Sequence, residues 1–425
     1  MKKLICVVLS ALLLCAMPLG MVGCGAKSGN KTDAHAPDDL MQGITSQTPD
    51  AVSDPAMAAA RFTDFGLRLF QAGQTMGENS LISPLSVLCA LAMTANGAQE
   101  ETRAQMEAVL GMKVEDLNEY LYAYMRDLPR GDAYKLDLAN SIWFTDDKNF
   151  AVNTDFLQTN ADYYGADLYK APFTQETCNK INDWVKEKTD GMIPQILDQI
   201  PADAVMYLVN ALAFDAEWAA PYQEHQVREN PFTREDGTEE TVEFLYDREH
   251  AYLETPNATG FLKYYAGGQY AFAALLPNEG VTVEELVKSL NGAELHQLLT
   301  HPVSVPVETA IPKFESEFSA ELSQVLADMG MPLAFDGDRA DFTALGTADA
   351  NIYISRVLHK TFISVTEKGT RAGAATVVEM AKNTSVGPGM EEVKTVYLDR
   401  PFVYMLMDCR TGTPFFIGTM MDPGK

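Results

Sequence analysis

Glu367-Lys368-Gly369-Thr370-Arg371-Ala372-Gly373-Ala374-Ala375-Thr376 is the stretch on which the reading of this chain turns. A strand-like run precedes it at residues 361–365, and another resumes near residues 396–403. Between them lie about thirty residues, a length that in a compact domain usually carries function. Small side chains come first, then a polar segment, then Gly387-Pro388-Gly389. Taken alternately from Thr370, one set is Thr370, Ala372, Ala374, Thr376, Val378 and Met380, all small or apolar. The other set, Arg371, Gly373, Ala375, Val377, Glu379 and Ala381, holds both charges. That is the two-residue period of a half-buried strand, written into a loop. Such a segment is built for two states, exposed and inserted.

Around it the pattern is mixed. Phe62, Phe65, Leu69 and Phe70 fall on one helical face, as do Leu85, Leu88, Leu91 and Ala92 after a Ser83-Pro84 start. Ile181, Trp184 and Val185 mark a third helix. Strand-like runs cover residues 205–214, 271–276, 352–357, 361–365, 403–407 and 415–419. Helices dominate early and strands late, with no internal repeat. This favours an α+β fold with large, mostly antiparallel sheets over alternating βαβ units.

The central stretch resembles the hinge of the serpin family. Glu367, Gly369, Thr370, Ala372, Gly373, Ala374, Ala375 and Thr376 match it position by position. Arg371 departs, since the family usually has an acidic residue there; it falls in the outward set, so insertion is expected to survive. Further motifs recur in order along nearly the whole domain. Asn79-Ser80-Leu81-Ile82-Ser83-Pro84-Leu85-Ser86 resembles an N-x-x-x-S-P-x-S segment. Ile181-Asn182-Asp183-Trp184-Val185, with Thr189 and Gly191, is similar to the family's IN-x-WV helix. Leu208-Val209-Asn210-Ala211 with Trp218, Pro312-Lys313-Phe314, Asp341-Phe342 and His359-Lys360 follow. The chain closes with Arg400-Pro401-Phe402, Phe416-Ile417-Gly418 and Asp422-Pro423.

The resemblance implies a serpin fold of three β-sheets and about eight or nine helices. It also implies an exposed reactive-centre loop over about residues 367–400. Such a protein is a suicide inhibitor rather than an enzyme. A serine protease, or a cysteine protease as the second class, attacks the loop and forms an acyl-enzyme. The cut loop then enters the central sheet as a new strand and carries the distorted protease with it. Gly369 is expected to supply backbone freedom for the bend. Ser83, Ser86, Asn210 and His359 resemble the polar cluster beneath the sheet where it parts, and Trp218 the aromatic where the loop enters. The family's spacing from Glu367 places the scissile bond at Asn383-Thr384; a shift of one residue gives Lys382-Asn383 or Thr384-Ser385. The alternative is a non-inhibitory serpin serving as a binding or structural module. Such members usually carry bulky, charged or proline residues in the inward set, which this chain does not.

Farther out, Lys2 and Lys3 precede an apolar run from Leu4 to Met17, the layout of a secretory signal. It ends in Met21-Val22-Gly23-Cys24, which resembles a bacterial lipobox, with Cys24 the lipid-bearing residue. This predicts a signal peptide over residues 1–23, a lipidated start and flexible tether over 24–57, and one domain over 58–425. The expected location is extracellular, with a lipid anchor as the only membrane contact.

Composition narrows the rest. Acidic residues outnumber basic ones 59 to 32, a formal net charge of −27, which argues against nucleic acid as a partner. Cys89, Cys178 and Cys409 are scattered through apolar stretches and read as buried thiols. His35, His225, His250, His296, His301 and His359 show no ligand spacing, so neither metal nor cofactor is expected. No GxSxG elbow, HExxH helix, Walker loop or CxxC pair supports an enzyme. A solute-binding lipoprotein would suit the tether but predicts two α/β lobes and no hinge sequence. A monomer is expected.

Overall fold

Ser83 and Pro84 start the helix around which the rest is packed. Ser83 lies in extended backbone at the N-cap, its Oγ accepting the Ser86 amide, and Pro84 takes the first helical position, where no N–H is needed. Every residue from Pro84 to Ala95 is buried, so this helix is enclosed on all sides. The structure, a computed structural model, describes residues 37–49, 55–128, 131, 133–201, 204–370 and 392–424.

In chain order the helices are α1 (Pro55–Gly73), α2 (Pro84–Ala95), α3 (Glu100–Leu110), α4 (Val114–Arg126), α5 (Thr154–Tyr164), α6 (Gln175–Lys188), α7 (Val283–Ser289), α8 (Gly292–Thr300) and α9 (Ser323–Met329). The early strands are β1 (Asp38–Asp39), β2 (Ser80–Ile82), β3 (Tyr134–Thr145), β4 (Ala151–Val152), β5 (Asp167–Ala171) and β6 (Met206–Glu217). The middle ones are β7 (Val227–Thr233), β8 (Glu239–Glu254), β9 (Ala258–Tyr264), β10 (Tyr270–Pro277), β11 (Val303–Pro312) and β12 (Phe314–Glu321). The last are β13 (Gly346–Thr347), β14 (Arg356–Val365), β15 (Gly369–Thr370), β16 (Lys394–Tyr397), β17 (Phe402–Asp408) and β18 (Thr413–Met420).

One sheet runs β1-β5-β3-β6-β15-β14-β12. Its two faces are covered differently. Leu208, Leu212, Phe214 and Ala216 of β6 join the main core with α2, while Tyr207 and Val209 join a smaller cluster with Ile181, Trp184 and Val185 of α6. The second sheet runs β16-β11-β8-β9-β10-β17-β18-β2, with β7 on β8. β4 and β13 form a separate pair. The fold is therefore α+β, as expected, but the three sheets appear as two large sheets and one small pair. The reason is β8, which carries β7 along Glu239–Leu245, β11 along Phe244–Tyr252 and β9 at its end along Ala251–Glu254, joining them into one ladder.

Three sequence expectations need correction. Residues 351–355 are irregular, with Ile352 and Ile354 buried, so the start of the apolar run read at 352–357 reflects burial without a ladder. A single strand, β14, begins at Arg356 and absorbs the run at 361–365. Cys89 and Cys178 are buried, but Cys409 is only half-buried. Part of the stretch read as tether is ordered against the domain: Asp38 and Asp39 pair with Lys170 and Tyr169, and Leu40, Met41 and Ile44 pack on the core. Helix α1 starts at Pro55, inside that stretch.

Candidate functional site

The centre of the first sheet holds an unfinished strand. β6 and β14 run parallel and pair directly at one end, Tyr207–Val209 with Arg356–Leu358. At the other end β15 lies between them, antiparallel to both: Gly369 opposite Glu217, Thr370 opposite Ala216 and Val365. Two residues of a strand have entered where a longer one would fit.

The turn that delivers β15 is gripped from outside. Leaving β14, the Thr366 amide donates to the Gly369 carbonyl at 2.9 Å, closing a hairpin. Three successive carbonyls of this turn are then captured. Trp218 Nε1 donates to Thr366, the Tyr222 amide to Glu367 and the Trp218 amide to Lys368, each at 2.9 Å. Trp218 stacks on Tyr265 with ring centres 4.5 Å apart, and the Tyr265 hydroxyl hydrogen-bonds Thr370 Oγ1. Thr370 is 1% exposed. Lys313 bridges the Glu367 carboxylate at 3.1 Å and that of Glu243 at 2.9 Å. A backbone amide first, and Lys313 beside it, hold the Glu367 carboxyl below the usual range.

Gly369 also meets a packing constraint. A Cβ there would meet the Ala216 carbonyl oxygen at 2.1 Å and the Glu217 Cα at 2.8 Å. The close approach of the strands is by itself a reason for glycine at this position.

Farther down the seam lies a polar cluster. The Ser83 amide donates to His359 Nε2 at 3.0 Å, and Thr361 Oγ1 donates to the Leu81 carbonyl at 2.7 Å. His359 therefore carries its proton on Nδ1. Burial pushes its pKa down to about 4, so the ring is neutral near pH 7. In the register of the β6–β14 pairing, Asn210 falls opposite His359. Asn210 Nδ2 donates to Asn140 Oδ1 on β3, while its own Oδ1 is buried without a hydrogen-bond partner among the described residues.

Ser83, Ser86, Asn210 and His359 are thus all buried along one seam, and Trp218 sits where β15 enters it. Ala372, Gly373, Ala374, Ala375, Thr376, the candidate bond residues Lys382, Asn383, Thr384 and Ser385, and Cys24 lie outside the described residues. The sequence reading gave no role to Asn140, Tyr222, Lys263, Tyr265 or Lys313. Lys313 stood in a quoted motif, but nothing local reveals that it reaches Glu367 across the fold.

This architecture has known counterparts. The family described as "Serpin (serine protease inhibitor)" matches residues 60–423, and the chain belongs to it. The thermophilic serpin tengpin in its native state is 45% identical, with a TM-score of 0.85, over 91% of this chain and 99% of that one. Tengpin in its latent state gives a TM-score of 0.77 at 44% identity, over 88% of this chain and 100% of that one. Human leukocyte elastase inhibitor is 30% identical over 380 residues, 85% of this chain and 98% of the relative. Inhibitory members are therefore among its relatives, and the family consists generally of protease inhibitors rather than catalysts.

Proposed function

We propose that this chain inhibits a serine or cysteine protease by a loop-insertion trap. The observation that carries the reading is β15, antiparallel between the parallel strands β6 and β14. Continuing its register would bring residues 371–380 between β6 and β14, ending at Met206, the first residue of β6. Glu379 would fall between Tyr207 and Arg356, which already pair with each other, so the two registers agree.

Side chains suit the path. Ala372, Ala374, Thr376, Val378 and Met380 would share the buried face of Thr370, where small groups avoid overpacking. Thr376 would arrive between Asn210 and His359, bringing a hydroxyl to the Asn210 Oδ1, which has no partner among the described residues. Arg371 would arrive between Asp215 and Ser364, placing a cation beside a carboxylate.

Insertion would replace one short parallel pairing with two antiparallel ladders, the more stable kind per residue. Roughly ten new ladder bonds at ~1 kcal/mol each give on the order of ten kcal/mol. That equals the stability of an ordinary domain, so the intact form is kinetically trapped. A protease still acylated to the loop would be carried along and distorted before deacylation.

The bond offered is Asn383-Thr384, with Lys382 and Ser385 beside it. The basic start, apolar run and Cys24 support export and lipid anchoring on the outer face of the membrane. A panel of serine and cysteine proteases tests the trap on a denaturing gel. A denaturant-resistant adduct is expected, and the mass of the released fragment fixes the bond. Clean cleavage without adduct by every protease that cuts the loop would point to a non-inhibitory serpin.

A further inference from the structure

Behind the residues that grip the hinge lies a buried charge, Lys263, to which the trap reading gives no role. Lys263 on β9 is 2% exposed. Its Nζ stands 4.3 Å from the centre of the Tyr222 ring and 5.5 Å from that of Trp218. It donates to Asp247 Oδ2 at 3.0 Å and Glu249 Oε1 at 2.8 Å, both on β8. Asp247 is itself fixed, its Oδ1 accepting the Arg248 amide at 2.8 Å. Burial pushes the Lys263 ammonium toward neutrality, but Tyr222 and the two carboxylates outweigh it and keep the charge.

A buried ion cluster is a weak source of stability, because desolvation offsets the attraction. Its position is more telling. The ammonium is shared by the two rings whose backbone amides capture the Glu367 and Lys368 carbonyls. A desolvated cation attracts aromatic faces strongly, so it holds both residues at one point beneath the turn. We propose that Lys263 is a positioning residue for loop insertion: it keeps Trp218 and Tyr222 on the turn and β15 in the sheet. A cut loop then lengthens an existing strand and need not first close the turn, a step that costs chain entropy. This inference rests on the trap reading above.

Three variants of the full chain separate the possibilities. Lys263→Met combined with Asp247→Asn and Glu249→Gln removes the cation without leaving a carboxylate unpaired. Tyr222→Leu removes the nearer ring and leaves the charges paired, and Lys263→Arg keeps a cation. Each is cut in its loop with subtilisin, and the rate at which heat resistance appears is followed. Amide exchange of the uncut chain is the second readout. The triple variant and Tyr222→Leu should exchange the Trp218 and 222 amides about tenfold faster and gain heat resistance correspondingly more slowly. Protection in β10 and β17 should stay unchanged, and Lys263→Arg should stay near the parent. Parent-like exchange and rate in Tyr222→Leu and in a folded triple variant would overturn the proposal. If the parent itself gains no heat resistance when cut, the trap reading fails instead, and amide exchange still decides what Lys263 holds.

Discussion

Gly369, opposite Glu217, lies so close to the β6 backbone that a Cβ on it would stand 2.1 Å from the carbonyl oxygen of Ala216. The contact fixes where β15 joins β6, and so the register of any strand that grows from it.

Gly369→Ala should therefore push β15 from the sheet. The clash is with backbone, which cannot swing aside, so overpacking should cost about 1–3 kcal/mol. Amide exchange at Thr370 reports it directly: faster exchange in the variant is expected, and parent-like protection would show that the sheet tolerates the methyl group.

Thr370→Arg should convert an inhibitor into a substrate. Thr370 is 1% exposed and bonded to Tyr265, so arginine would bury a charge without a partner, at several kcal/mol. Cleaved, released protein should accumulate on gels where the parent forms covalent complexes. Complexes at full stoichiometry would contradict insertion from this position.

Stability should fall as pH drops from 6.5 toward 4. The folded chain holds His359 at about 4, below its ordinary 6.5, so the unfolded chain binds the proton first. Stability is complete above 6.5, is lost on acidification through this window, and changes no further from this group below about 4. The loss is roughly 3 kcal/mol in all, about 2 of it by pH 5. A proton on Nε2 would also confront the Ser83 amide, which donates to that atom. Denaturant midpoints across this range should fall in the parent and flatten in His359→Gln. Equal slopes in the two would remove His359 from the account.

Arg371→Glu should weaken trapping modestly. The register extended from β15 puts residue 371 beside Asp215, where glutamate would set like charges on adjacent strands. Cross-strand pairs contribute roughly 0.2–1 kcal/mol, so the moles of inhibitor used per protease should rise only slightly. A larger rise in Arg371→Ala than in Arg371→Glu would count against the register.

Much of the site was legible because it is written locally. Ser83-Pro84 announces a helix start, and the alternation from Thr370 announces a strand inside a loop. Apolar alternation could not separate residues 352–355, irregular with Ile352 and Ile354 buried, from β14, because both hide isoleucines from water. The packing constraint at Gly369 escapes the sequence, which reports that a Cβ is absent without saying what would meet it. Asn140 and Lys263 escaped notice for a related reason. Asn140 gains meaning only from its register with Asn210, and Lys263 only from rings 41 and 45 positions earlier in the chain.

The most direct test of the central claim compares the melting temperature of the intact chain with that of the chain cut once in its loop. Insertion predicts a rise on the order of tens of degrees, because the cut chain gains two ladders that the intact one lacks. A cut chain that melts at or below the intact temperature would contradict the trap.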